Sequence, residues 1–413
     1  MSSQTEASGK QVAPTERLLV VDGYFHWPPG GGGIRDIAEV ANGLSAEYEV
    51  VLLAPRYGFR GWIGYRKGLK FEVKTIPFDK VDFSAPTVLR RFRSAIRRID
   101  PDVVLVGNGN AMKPFMIIAC EGYKTFVRLY SYELLCPVSH GLLFNSNRVC
   151  DSDFLADPIR CVGCLLRHPQ RSVYDREALR GFVVSYPTHK RAIQRCLASP
   201  EAFIVTSRYM RRRYSPSIEP ERLAMIPSGL DCSRFAPGES NDHDTVTIFS
   251  AGRVDDPAKG LPTLVDASEL LWKKRKDFRL RIAGRGMKAR ADLPFLVDAG
   301  WISERKLPSA YVSSDIVVVP SIWAEPFGMV ALEAMGCGKP VVASKVGGLT
   351  DFIMHGRNGY HFPPGRADEL CQALEDLVES PRRRKRFGRA ARNKALQYDW
   401  PRVIPRYLEL LSC

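Results

Sequence analysis

Short apolar runs closed by Gly, Pro or Ser alternate along this chain with longer stretches whose apolar residues recur at helical spacing. The runs read as buried parallel strands, because a strand covered on both faces has no polar side to alternate with. Arg17–Gly23, Tyr48–Ala54, Phe71–Pro77, Pro101–Val106, Thr125–Tyr130 and Ala202–Thr206 make a first series. Thr245–Ala251, Arg279–Ala283, Phe295–Val297, Ile316–Val319 and Pro340–Ala343 make a second. Helical spacing links Ile34, Ile37, Val40, Ala41 and Leu44, and recurs over Pro86–Ile99, Pro381–Tyr398 and Trp400–Leu411. Strands alternating with helices predict an α/β protein with parallel, doubly wound sheets. A Pro-, Gly- and Asp-rich stretch that follows Leu223–Gly229 and ends near Asp244 predicts the join between two domains. The expected division is a disordered tail over 1–16, a Rossmann-like domain over 17–222 with a Cys-rich insertion near 136–170, a second over 223–385, and terminal helices over 386–413.

A length of 413 residues suits two domains, and 45% hydrophobic and 25% charged residues are ordinary globular values. The net charge of +15 attracts anions: nucleotides, lipid head groups or nucleic acid. No nucleic-acid module accompanies it, so nucleic acid is not an expected partner. Arg90-Arg91, Arg93, Arg97-Arg98, Arg211–Arg213 and Arg382–Arg386 read as solvated helix faces or as contacts with an anionic membrane surface. Met1–Glu16 is polar and lacks the apolar core of a leader. The expected location is cytoplasmic, with peripheral contact to the inner face of the membrane as the functional reading of the basic clusters.

One stretch organises the rest: Glu325-Pro326-Phe327-Gly328-Met329-Val330-Ala331-Leu332-Glu333-Ala334-Met335. It follows a buried strand, and Gly336–Gly338 ends its helical part. A helix beginning near Gly328 aims free backbone N–H groups at the preceding loop, which is a ready phosphate site. Glu325 lies ahead of that start and Glu333 one to two turns inside it. Carboxylates there suit sugar hydroxyls, although the helix dipole alone favours an N-terminal acid by about 0.3–1 kcal/mol. Gly30–Gly33, between the first strand and a helix, also lets backbone approach a phosphate. It lacks the six-position dinucleotide fingerprint, and a mobile loop would have the same composition.

Together these pieces resemble the retaining glycosyltransferases of family four (glycosyl transferases group 1). The resemblance is carried by Arg253 with Lys259-Gly260, by the turn Ile282–Gly286, and above all by Glu325 and Glu333 within Glu-Pro-Phe-Gly…Glu-Ala. Val346–Leu349, Asn358–Tyr360 and Tyr398–Trp400 fit its later segments. It implies the GT-B fold, two facing Rossmann-like domains with C-terminal helices crossing back to the first. It also implies a hexosyltransferase that moves sugar from a nucleoside-diphosphate sugar to an acceptor hydroxyl. The acceptor class would be a saccharide, a lipid-linked saccharide or a small-molecule natural product. Arg253 and Lys259 would hold the diphosphate, with Gly32 and Gly33 closing over it. Glu333 would take the ribose hydroxyls and Glu325 those of the transferred sugar. Phe327, Gly328, Met329 and Val330 would offer backbone N–H groups, and Gly284 and Ile302 would complete the donor site. Two protein cations remove the need for a catalytic metal, and same-face attack leaves Glu325 no nucleophilic role. An epimerase or phosphorylase of the same architecture and a non-catalytic GT-B binding protein stand as alternatives; the intact Arg253, Lys259, Glu325 and Glu333 speak against the last.

Tyr130 stands where many family members carry His, and with Ser207 and Arg208 it is an expected sugar or acceptor contact. Aromatic residues of the Arg56–Lys70 loop are further candidates for the acceptor side. Cys136, Cys150, Cys161 and Cys164 have the ligand count of a structural zinc site. An iron–sulfur centre has the same count, with His140 or His168 as substitutes, and four unconnected thiols would look alike.

Overall fold

The computed structural model describes residues 16–27, 29, 31–57, 68–78, 84–136, 142–143, 148–167, 190–238, 245–284 and 293–413. Met1–Thr15, most of the Arg56–Lys70 loop, Gly30, Arg285-Gly286, His140 and His168 lie outside them.

The first sheet contains β1 (Arg17–Val21), β2 (Glu49–Tyr57), β3 (Glu72–Phe78), β4 (Val103–Val106) and β5 (Lys124–Arg128). A two-stranded antiparallel hairpin, β6 (Leu142–Leu143) with β7 (Arg148–Val149), stands apart from it. The sheet is completed by β8 (Ala202–Val205) and β9 (Leu223–Met225), in the order β3-β2-β1-β4-β5-β8-β9 with every pairing parallel. The second sheet contains β10 (Val246–Ala251), β11 (Phe278–Ala283), β12 (Leu296–Gly300), β13 (Ile316–Val319), β14 (Val341–Ser344) and β15 (Gly359–Phe362). Its order is β12-β11-β10-β13-β14-β15, again all parallel. Both sheets are doubly wound, and in each the strand order reverses beside the first strand. Open sheets of this kind bind ligands outside the carboxyl ends of the strands at that reversal. The reversals lie between β1 and β4, and between β10 and β13.

The expected boundary after residue 222 moves. Leu223–Met225 pairs with β8, so the first domain runs through β9, and Ile226–Leu230 carries the chain across. The expected return of 386–413 is also narrower than predicted. The helix Pro381–Ala395 stays on the second domain, where Arg392 Nη1 donates to the carbonyls of Phe235 and Gly336, each at 2.8 Å. Only Trp400–Ser412 crosses back, burying Val403, Tyr407 and Leu411 in the first core. Its anchor is an exchange at Leu230, whose N donates to Tyr398 O at 2.8 Å and whose O accepts from Trp400 N at 3.2 Å. Tyr132 Oη donates to Ala324 O at 2.7 Å and Thr206 Oγ1 to Pro326 O at 3.0 Å, tying the domains further. Among the described residues no helix is long and apolar enough to cross a membrane.

Candidate active site

Both strand-order reversals open onto one cleft of about 500 Å3. Its first-domain wall includes Gly31–Gly33 and Asp36, Asn108 and Asn110 after β4, and Tyr130, Ser131 and Glu133 after β5. The second-domain wall includes Ser250–Val254 after β10, Lys259, Val318–Ser321 and Trp323 after β13, and Glu325–Val330.

The second wall follows from local sequence. β10 ends at Ala251, and Arg253 extends from the turn with its side chain 61% exposed and Nη2 3.1 Å from Asp256 Oδ2. Asp256 caps the short turn Pro257–Lys259, accepting from Ala258 N at 3.0 Å. Gly260 then takes φ +69°, and a Cβ there would collide with the Pro320 carbonyl. That fit presses the Lys259 turn against the end of β13. Lys259 Nζ donates to Glu325 Oε1 at 2.7 Å and sits 5.0 Å from the Trp323 ring centre. Ser321 Oγ donates to the same oxygen at 2.6 Å. Burial pushes the Glu325 carboxyl up, but Lys259 with the Ser321 and Trp323 hydrogen bonds outweighs it and holds the group below the usual carboxylate range. The helix Met329–Gly336 begins after Gly328, as the sequence predicts, and its first residues line the cleft.

Glu333 is held between the two domains. It does not line the cleft, and both its oxygens are occupied: Oε1 accepts from Arg35 Nη1 at 2.6 Å and Oε2 from Tyr311 Oη at 2.9 Å. Arg35 belongs to the first-domain helix Gly32–Leu44, so this contact spans the domains. Arg35 Nε also lies 2.9 Å from Glu304 Oε1, which Arg234 Nη1 reaches at 2.9 Å. Gly284 and Ile302 are likewise outside the cleft. Gly284 packs beneath the Gly252 turn, where a Cβ would lie 2.5 Å from Gly252 O, and Ile302 packs on the second core. Ser207 caps the helix Arg208–Tyr214, and Arg208 N donates to Asp351 Oδ2 at 2.7 Å. Neither lines the cleft: Ser207 serves its own helix and Arg208 bonds across the domains, and Thr206 is the neighbour that reaches the cleft.

Tyr130 lines the cleft, within a network that no sequence motif signals. Its hydroxyl donates to Asp36 Oδ2 at 2.8 Å, and Arg128 Nε reaches the same oxygen at 2.8 Å. Burial, with the adjoining Asp36, holds the Tyr130 phenol well above its ordinary range, so it stays a donor. Beside it Lys113 Nζ donates to Glu133 Oε2 at 2.8 Å; burial pulls that ammonium down while Glu133 opposes it. Asp36 was legible in principle, since it shares the helical stripe of Val40 and Leu44, a charge on a buried face.

Burial first, then the neighbouring Cys136, Cys150 and Cys164, push the Cys161 thiol up to about 12. Cys161 and Cys164 lie on the helix Pro158–Arg167, and Cys150 Sγ contacts Ser152 O of its own loop at 4.0 Å. Among the described residues no group of three or more His, Cys, Asp or Glu is arranged to hold a metal ion.

Residues 234–394 match the family described as Glycosyl transferases group 1. The second domain belongs to that family. Over 210 residues the chain is 34% identical to a D-inositol 3-phosphate glycosyltransferase of Pseudarthrobacter chlorophenolicus, covering 46% of this chain and 50% of the relative. Over 234 residues it is 28% identical to a lipopolysaccharide 1,2-N-acetylglucosaminetransferase of Salmonella typhimurium, covering 51% and 61%. The chain thus spans about half the length of the inositol-phosphate relative and under two thirds of the other. Sucrose-phosphate synthase of Thermosynechococcus elongatus superposes with a TM-score of 0.71 at 17% identity, covering 96% of this chain and 98% of that one. The Anabaena protein HepE, in complex with UDP-glucose, superposes at 0.67 and 18%, covering 96% and 99%. These likenesses establish the GT-B fold, with the group 1 domain supplying the wall that carries Arg253, Lys259 and Glu325.

Proposed function

We propose that this protein is a retaining glycosyltransferase that uses a nucleoside-diphosphate sugar. The observation that carries the reading is the meeting of both strand-order reversals on one cleft. There Arg253, Lys259 and the start of the 329–336 helix face the Gly31–Gly33 loop. Departure of a nucleoside diphosphate builds negative charge on its distal phosphate. Cations and backbone N–H groups fixed there stabilise the transition state more than the ground state. Each 1.36 kcal/mol so gained is about tenfold in rate. An ammonium has three N–H donors, so Lys259 can hold Glu325 with one and a phosphate oxygen with another. Glu325, ionised and only an acceptor, suits hydroxyls of the transferred sugar. The acceptor oxygen bonds to the anomeric carbon on the face the diphosphate leaves, and the acceptor proton passes to the departing phosphate oxygen. The likeness to group 1 relatives and to HepE supports a nucleotide-sugar donor.

A thermal-shift screen of UDP, GDP and their sugars tests this, because a ligand of the folded state raises its midpoint by mass action. At least one nucleotide sugar should raise the midpoint and be turned over. Glu325→Gln should slow turnover at least about tenfold while still binding the parent nucleotide. No shift with any nucleotide, or wild-type turnover by the variant, rejects the reading.

A further inference from the structure

We infer that the first-domain wall of the cleft is a second hydroxyl-binding site, in which Asp36 and Glu133 grip a neutral sugar ring or other polyol. The inference rests on reading the cleft as a glycosyl-transfer site.

Tyr130 stands between two buried carboxylates and donates to both. Its hydroxyl serves Asp36 Oδ2 at 2.8 Å and its backbone N serves Glu133 Oε2 at 3.2 Å. Each of those oxygens also takes a buried cation, Arg128 on Asp36 and Lys113 on Glu133. Asp36 Oδ1 is buried with no hydrogen-bond partner among the described residues, and the hydrogen bonds Glu133 accepts from them all fall on Oε2.

A purely structural pair would be arranged otherwise. Guanidinium and carboxylate pair most strongly through two parallel hydrogen bonds. Arg128 instead sends Nη1 to Ile226 O at 3.1 Å and Nη2 to Ser228 Oγ at 3.2 Å, leaving Asp36 Oδ1 bare. Glu333, which Arg35 ties to the first domain, uses both oxygens. An unmet buried acceptor is costly, so Asp36 Oδ1 suits a donor brought by a ligand. Asp36 is 2% exposed and Glu133 5%, yet both line the cleft, opposite Lys259 and Glu325. Ionised carboxylates only accept hydrogen bonds. Hydroxyls satisfy them; a phosphate or carboxylate would meet them with its own acceptors and like charge. The ligand is therefore a neutral polyhydroxy group, borne by either the donor's transferred sugar or the acceptor.

Calorimetric titration of wild type, Asp36→Asn and Glu133→Gln with UDP, GDP, UDP-glucose, UDP-N-acetylglucosamine and GDP-mannose separates these sources. Unfolding midpoints monitor the fold. If wild type binds no nucleotide, the glycosyl-transfer reading falls by itself. Otherwise both variants should bind the parent nucleotide as wild type does. If the polyol is the transferred sugar, either variant weakens the sugar nucleotide about tenfold or more. If it belongs to the acceptor, sugar-nucleotide binding is unchanged. Nucleotide release with methyl glycosides or myo-inositol then shows KM raised about tenfold with kcat nearly unaltered. Wild-type behaviour in both assays overturns the inference, as does equal weakening of nucleotide and sugar nucleotide. Should the variants unfold, wild type alone decides. It should prefer UDP-glucose to UDP-glucuronate, or methyl glucoside to methyl glucuronide, by at least about tenfold, and indifference in both pairs overturns the inference.

Discussion

Lys259 fixes the charge of Glu325. In the folded protein the carboxyl lies below its usual range, so the pair's stabilisation is complete above that range and is lost as pH falls through the folded value. In Lys259→Met, burial acts with its main opponent gone, and the carboxyl moves above its ordinary value of about 4.3. The sign then reverses: Glu325 destabilises the variant increasingly as pH rises through its new, higher pKa. Urea unfolding between pH 4 and 7 should show the variant losing about 3 kcal/mol relative to wild type toward neutrality and much less at pH 4. A constant difference across that range would mean that Lys259 contributes packing alone. The identities of Lys259 and Glu325 were legible in the sequence through their motif, but their mutual contact was not. Glu333 belongs to the same motif, and its contact with a residue 298 positions away is not legible there. No local pattern encodes such a pairing, because it depends on how the two domains meet.

At the scale of elements, apolar runs identified the strands of both sheets well, because buried parallel strands carry little besides apolar residues. β15 escaped: Gly359-Tyr360-His361-Phe362 carries a His and opens on Gly. Leu223–Met225 reads from sequence as the opening of the second domain, since three residues followed by Ile-Pro-Ser-Gly do not look like an edge strand of the first. The loops that build the site depend on backbone shape more than on side chains. Gly260 combines φ +69° with contact against the Pro320 carbonyl, and it sets the Lys259 turn on β13. Gly260→Ala should cost more than about 1 kcal/mol in chemical denaturation. It should also weaken nucleotide binding, because Lys259 and Ser321 lose their common register on Glu325. Unchanged stability together with wild-type binding would show that the turn adapts without loss.

For the whole molecule, the GT-B arrangement leaves two walls whose separation is set by few links. Ile226–Leu230 and the returning helix Trp400–Ser412 join the domains covalently, and Tyr132, Thr206 and Arg208 bond across their base. Arg35 adds a different kind of tie, a first-domain cation lying between second-domain Glu304 and Glu333. Its guanidinium is mostly buried, so salt screens it weakly, and its loss leaves Glu304 to Arg234 and Glu333 to Tyr311, both within the second domain. Arg35→Gln should therefore loosen the ligand-free molecule, read as a larger radius of gyration in small-angle scattering. The same variant decides what Glu333 is for. If a ribose takes the place of Arg35 on Glu333, nucleotide binding bears the cost of breaking the tie. Removing the tie in advance should tighten nucleotide binding about fivefold, the scale of an ordinary coupling between a site and a domain equilibrium. Equal nucleotide affinity in variant and wild type, alongside a larger radius, would make Glu333 a strut between the domains and leave nucleotide recognition to Arg253, Lys259 and the 329–336 helix start.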